Sequence, residues 1–97
     1  MFMHDNSSRV KILKALADDA RLEIVRILHA THREMACGEI SDLMGIANST
    51  ISYHLRTLRE AGLTTTRKDA QSRLITLREE TFTKYMPGFL ESLEMED

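Results

Sequence analysis

The fold is decided by residues 48–62, NSTISYHLRTLREAG, and by the segments that flank them. Ile51, Leu55 and Leu58 recur at i, i+4 and i+7, which is the spacing of one apolar face of an α-helix. Gly62 suits the C-terminal end of this helix. The stretch therefore predicts an amphipathic helix whose first turn carries short polar side chains.

A shorter helix is predicted just before it, from about Gly38 to Met44. Ile40 and Leu43 share a face with Met44 at i, i+3 and i+4 spacing. Gly45 then stands where a left-handed residue commonly ends a helix. Two helices joined by a short turn, the second with a polar first turn, are typical of a helix-turn-helix.

Two extended segments follow the longer helix. Residues 63–68 and 73–78 are rich in threonine and branched aliphatic side chains, which favour strands. The polar residues 69–72 between them suit a β-hairpin. A hairpin directly after the second helix of a helix-turn-helix is a wing, so we predict a winged helix-turn-helix.

Two further helices are predicted before this motif. The first begins near Ser7 and ends near Ala17, and the second, capped by Asp18, includes residues 21–28. The polar residues 31–34 connect it to the helix-turn-helix.

The tail, residues 80–94, is predicted to be helical, with a kink or a break at Pro87–Gly88. The predicted fold class is thus mainly α with a β-hairpin (α+β), with five helices and a two-stranded wing. We expect residues 1–97 to form a single DNA-binding domain with dimerisation helices at both ends.

The two ends of the chain carry more apolar side chains than a small core can hide. A chain of 97 residues buries a limited fraction of its surface, and a second copy would cover the remainder. We therefore expect a homodimer formed by the first and last helices through Val10, Leu13, Phe82, Tyr85, Met86, Phe89, Leu90 and Leu93.

The composition predicts a cytoplasmic protein without a membrane partner. Hydrophobic residues make up 42% of the chain and charged residues 29%, which is ordinary for a soluble domain. No apolar run approaches the roughly 18 residues of a membrane span, and residues 1–5 do not resemble a signal peptide. The single cysteine, Cys37, cannot form a disulfide within the chain.

Charge is distributed unevenly along the chain. The net charge is −2, yet residues 46–78 hold six bases against two acids, and residues 79–97 hold six acids against one base. A basic segment followed by an acidic one fits a protein with one face for phosphates and another turned away from them.

The polar side of the helix at 48–60 predicts contact with DNA. With its apolar positions in the core, Asn48, Ser49, Thr50, Ser52, Tyr53 and Arg56 face outward. Short hydroxyls and amides let the backbone approach phosphates and base edges in the major groove, and Arg56 can contact a guanine or a phosphate. Asn48 or Ser49 is predicted to cap the helix. The alternative to DNA contact is that the serine and threonine side chains here are only caps and that the arginines lie on a solvated face.

Arg67, Lys68 and Arg73 flank the tip of the predicted wing, where they can lie along the minor groove or the DNA backbone. The alternative is a hairpin whose charges only confer solubility. His54 lies near the edge of the buried face, where it either donates to a phosphate or is a half-buried structural histidine.

Residues 18–24, DDARLEI, and 49–63, STISYHLRTLREAGL, resemble the ArsR/SmtB family of bacterial winged-helix repressors. The first is similar to the family's LADxxRLxIL pattern and the second to its STxSxHLxxLRxAGL recognition helix, and the likeness covers about residues 8–93. The resemblance implies a homodimer built from the terminal helices and an operator with two-fold symmetry. It also implies repression relieved by a bound or reacted inducer.

The metal sites that the resemblance implies lack their ligands here. Many members carry Cys-x-Cys on the third helix, where this sequence has Ala36 and Gly38 with Cys37 between them, and one soft ligand cannot build a closed four-ligand site. The tail has no histidine. We therefore predict no metal and no cofactor. His29 and His32 could share a metal with Cys37 or a partner chain, or could only interact with a helix dipole.

Two functional alternatives remain. Cys37 near a helix N-terminus could be a redox sensor, or a small buried hydrophobe. The winged helix as a whole could serve protein–protein contact without DNA reading. No nucleophile–base pair or phosphate loop suggests an enzyme, and no catalytic residue is predicted. We predict a sequence-specific transcription regulator, a repressor that binds a palindromic operator in double-stranded DNA as a homodimer, with an unknown inducer.

Overall fold

The computed structural model describes residues 3–95, so Glu96 and Asp97 of the acidic tail lie outside the described residues. Over residues 3–95 it contains six helices and three strands. In chain order they are α1 (Ser7–Leu16), α2 (Asp19–Thr31), β1 (Met35–Ala36), α3 (Cys37–Met44), α4 (Asn48–Glu60), β2 (Thr64–Asp69), β3 (Ser72–Leu77), α5 (Glu79–Tyr85) and α6 (Phe89–Ser92). The predicted winged helix-turn-helix is confirmed.

The helix boundaries follow from local chemistry. The Asp18 carboxylate accepts a hydrogen bond from the backbone N–H of Arg21 at 3.0 Å and caps α2 as predicted. This bond holds the pKa of the Asp18 carboxyl below its ordinary value. Gly45 ends α3 with φ of 65°, a left-handed conformation that costs glycine little. The left-handed Gly45 thus ends α3 and begins the turn between the two helices of the motif.

The sheet has one strand more than the sequence predicted. The strand order is β1-β3-β2 with antiparallel pairing, and Met35 pairs with Ile75. The Met35 side chain is fully buried. A two-residue strand is too short to show a period-2 pattern, which is why these residues did not stand out from the polar connection before them.

The tail divides into two helices rather than one. Gly88 adopts φ of 87° directly after Pro87, between α5 and α6. The predicted break at Pro87–Gly88 is confirmed, and the helix count rises from five to six.

One hydrophobic core positions the helix-turn-helix. Ile51, Leu55 and Leu58 of α4 are buried in it together with side chains from α1, α2, α3, β3 and the terminal helices. Because the apolar face of α4 packs into the core, its polar face is exposed to solvent. Within residues 3–95, no helix combines the length and the apolar character needed to cross a membrane.

Candidate nucleic-acid interface

Helix α4 presents the predicted polar side chains to solvent. All six of them are exposed, and Tyr53 retains 58% of its accessible surface. Arg56 makes no side-chain hydrogen bond or salt bridge to any of residues 3–95. The set is called the reading face below: Asn48, Ser49, Thr50, Ser52, Tyr53 and Arg56.

The N-terminus of α4 differs from the sequence prediction. The N-cap residue is Ala47, and Asn48 and Ser49 lie inside the helix instead of capping it. Alanine has no side-chain acceptor, and the N–H groups of Asn48 and Ser49 have no acceptor among residues 3–95, whereas that of Thr50 donates to the Ala47 carbonyl at 3.0 Å. The N-terminus of a helix attracts anions through these groups and through its dipole. The reading face therefore begins at a site suited to a phosphate.

His54 is held inside the protein. The guanidinium of Arg21 donates to Nδ1 of His54 at 3.2 Å, and a carboxylate oxygen of Asp18 lies 3.9 Å from the same nitrogen. The His54 side chain is only 12% exposed. Of the two roles left open by the sequence, this geometry favours the structural one.

The wing brings two cations together at its tip. Strands β2 and β3 pair over six positions, and Lys68 lies directly opposite Arg73. Both residues are exposed. Like charges directly opposite each other destabilise a strand pair, so an anionic partner at this tip would relieve a repulsion that the folded chain tolerates.

Arg67, the third predicted cation of the wing, forms an ion pair with an acidic side chain. Its guanidinium donates two hydrogen bonds to the carboxylate of Glu34, at 2.7 and 2.8 Å. The pair lowers the pKa of Glu34 because the guanidinium bonds favour the charged carboxylate. Arg67, predicted to contact DNA, therefore lies in an ion pair at the protein surface, where its side chain keeps 59% of its accessible surface. The sequence could not reveal the pair, because Glu34 precedes a strand that was not predicted.

Cys37 is half-buried at the start of α3. Its Sγ lies 3.7 Å from Oγ of Ser52, on the reading face. The chain has no second cysteine. Cys37 is also absent from the cluster formed by His29 and His32, whose third member is Glu79. The idea of a shared histidine–cysteine metal site is therefore not supported by the described residues.

The expected dimerisation residues fall into two groups. Val10 and Leu13 of α1 are exposed, at 42% and 48%. Tyr85, Met86 and Phe89 are half-buried, and with Leu13 they line a shallow groove of about 490 Å³. The others are buried in the core of their own chain and so offer little surface to a partner: Phe82, Leu90 and Leu93.

Comparison with known proteins agrees with this architecture. A model of a helix-turn-helix domain family matches residues 16–67. The uncharacterized HTH-type transcriptional regulator YceK of Bacillus subtilis is 50% identical over 93 residues, which is 96% of this chain and 93% of that protein. The arsenical resistance operon repressor of Staphylococcus xylosus is 33% identical over 91 residues, covering 89% of this chain and 80% of that protein.

A solved structure with the same fold is the homodimeric winged helix-turn-helix DNA-binding domain Mb0332 of Mycobacterium bovis. Its TM-score is 0.76 and its identity 21%, over 97% of this chain and 90% of that chain. The matched domain spans more than half of this chain, and the two relatives cover nearly all of it. The chain therefore belongs to the ArsR family of winged helix-turn-helix transcriptional regulators.

Proposed function

We propose that two copies of this chain bind a two-fold symmetric operator and repress the promoter that contains it. Each copy places α4 in a major groove, and the two helices lie about 34–36 Å apart, one turn of DNA. The observation that carries the proposal is the reading face, whose polar side chains are exposed and whose Arg56 has no partner among residues 3–95.

The roles within this interface follow from exposure and pairing. Arg56 contacts a base edge or a phosphate from α4, and the first turn of α4 approaches the backbone. Lys68 and Arg73 contact phosphates beside the groove. His54 supports the interface from a largely buried position beside Asp18, and Arg67 supports it from the surface through its ion pair with Glu34.

Homodimerisation is supported by the apolar surface that the monomer leaves uncovered. Val10 and Leu13 are exposed next to the groove that Tyr85, Met86 and Phe89 line. The Mycobacterium bovis domain of the same fold is homodimeric. The dimer proposed here uses α1 and the segment between α5 and α6, and it excludes the three buried side chains of the tail.

Repression is supported by the relative from Staphylococcus xylosus, which is named as a repressor. The protein acts in the bacterial cytoplasm as a single domain that binds DNA without catalysing a reaction. A protein that occupies promoter DNA excludes polymerase from it, so operator binding alone accounts for repression.

The test is selection of bound duplexes from a random DNA pool by the purified protein. The native chain should enrich a two-fold symmetric site, and Arg56→Ala should lose the enrichment or relax it at one position of each half-site. Arg78→Ala is the matched control, because it removes the same charge at the base of the wing, where Arg78 pairs with Glu80 at 3.0 Å.

The selected site is then placed in a promoter driving a reporter gene. Lower transcription in the presence of the native chain supports repression, and higher transcription contradicts it. No enrichment by the native chain, or enrichment that Arg56→Ala leaves intact, would overturn the reading role of α4 and favour a protein-contact function.

A further inference from the structure

A cavity whose lining includes none of the reading-face residues lies at the C-terminal end of α2. It measures about 370 Å³ and reaches from the end of α2 to the residues around the start of α5. Its lining includes His29, His32 and Glu79. One potential ligand atom from each of these three residues lies within 4.8 Å of the other two.

We propose that His29, His32 and Glu79 bind one divalent transition-metal ion of the zinc class. Two imidazoles and one carboxylate are a ligand set that Zn²⁺ accepts, with a water molecule at the fourth tetrahedral position. With bonds of about 2.0–2.1 Å, tetrahedral ligand atoms lie about 3.4 Å apart, so atoms within 4.8 Å of one another must approach by at most about 1.4 Å. His32 and Glu79 are exposed and can rotate toward the buried His29.

The environment of His29 supports this assignment independently. Its side chain is buried, with 7% of the residue exposed, and its Nε2 lies 2.8 Å from a carboxylate oxygen of Glu94. Its Nδ1 is buried without a hydrogen-bond partner among the described residues. A buried polar atom without a partner is costly. Metal-ligating histidines commonly donate their other N–H to a carboxylate, as His29 can to Glu94.

The charges around the cavity leave the site free for a cation. Arg33 also lines the cavity, but its guanidinium pairs with Glu39 at 2.8 Å. Glu34 of the same lining is paired with Arg67. Glu79 has no salt bridge among residues 3–95, so its negative charge is available to a metal ion.

The site joins two parts of the molecule that are distant in sequence. His29 lies in the last turn of α2 and His32 is its C-cap residue, whereas Glu79 begins α5 and is separated by one residue from the end of the wing strand β3. An ion held by all three ties α2 to the junction between the wing and the terminal helices. The three ligands lie outside the reading face, so Zn²⁺ binding and DNA binding can be tested separately.

The test is calorimetric titration of the untagged chain with Zn²⁺, with Mg²⁺ titrated in parallel. We expect one Zn²⁺ per chain and no Mg²⁺ binding at the same concentration, because Mg²⁺ prefers oxygen ligands in octahedral geometry. His32→Ala and Glu79→Gln should each weaken Zn²⁺ binding by more than about tenfold, or about 1.4 kcal/mol. Both positions are exposed, so both variants should fold as the native chain does.

The controls are His4→Ala and Cys37→Ser. His4 is an exposed histidine outside the cluster, and Cys37 is the only thiol of the chain. Neither substitution should change the affinity or the stoichiometry. Absence of binding by the native chain overturns the proposal, as does binding that His32→Ala and Glu79→Gln leave intact or that Cys37→Ser abolishes.

Discussion

Helix α4 and the terminal pair α5–α6 were both predicted to present side chains to a partner molecule, and they differ in how fully they do so. The reading face of α4 is exposed over its whole length. Of the six side chains predicted for the tail, three are buried in the chain's own core, at 2%, 5% and 8% exposure. The difference comes from helix continuity. An unbroken helix of 13 residues keeps one apolar stripe and one polar stripe, whereas pieces of 7 and 4 residues share no common face.

The largest effects are expected on the free energy of unfolding, and they distinguish apolar side chains of the core from those of a dimer interface. Phe82→Ala should lower the free energy of unfolding by about 3–5 kcal/mol, because it deletes a buried aromatic ring from the core. Leu13→Ala should instead lower stability by an amount that depends on protein concentration, because subunit association contributes to the stability of a dimer. Chemical unfolding at two protein concentrations measures both quantities.

Leu43→Ala is the control for this pair. Leu43 is an exposed leucine on α3, with 65% of its surface accessible, and it lies outside the groove formed with Leu13. Its truncation should cost little at either concentration. If Leu13→Ala behaves like Leu43→Ala, α1 is not part of a dimer interface.

The sequence was most informative where a single helix carries one uninterrupted period. Ile51, Leu55 and Leu58 predicted α4 and its orientation, since three apolar residues at this spacing leave only one face for the core. It was least informative where the deciding contacts are distant in sequence. Arg67 and Glu34 are 33 residues apart, as are His54 and Arg21, and no local pattern marks either pair.

A smaller effect is expected from breaking the ion pair of Arg67 on the wing. Arg56 on α4, by contrast, has no such pair to break among residues 3–95. Glu34→Gln should weaken the ion pair with Arg67, so that the guanidinium of Arg67 becomes available to contact a DNA phosphate. One additional phosphate contact steepens the dependence of log K on log salt by about 0.9. Operator affinity measured across a series of salt concentrations gives this slope directly.

The matched control is Glu91→Gln, which removes one negative charge from α6, where no cation pairs with it among residues 3–95. It should leave the slope unchanged. An unchanged slope in Glu34→Gln as well would mean that Arg67 does not reach DNA even when it is released.

The smallest effect concerns the contrast between the starts of α3 and α4. At α3 a carboxylate of Glu39 accepts from the backbone N–H of Ala36 at 3.0 Å and pairs with Arg33, whereas α4 starts without a side-chain cap. The Arg33 bonds, with the Ala36 N–H, lower the pKa of Glu39 from 4.5 to about 2. A carboxyl group with a lowered folded-state pKa stabilises the fold above its unfolded pKa, and this contribution disappears as the pH falls through the folded value.

Acid should therefore remove the Glu39 contribution between about pH 4.5 and pH 2. Glu39→Gln should lower the Tm slightly at pH 7, and its Tm should fall less steeply than that of the native chain across this pH range. Thermal unfolding from pH 7 to pH 2 measures both effects, with Glu91→Gln as the control. Parallel curves for the native chain and Glu39→Gln would mean that the ion pair does not stabilise α3. Since α4 has no such cap to lose, acid should loosen the start of α3 while the first turn of α4 changes little.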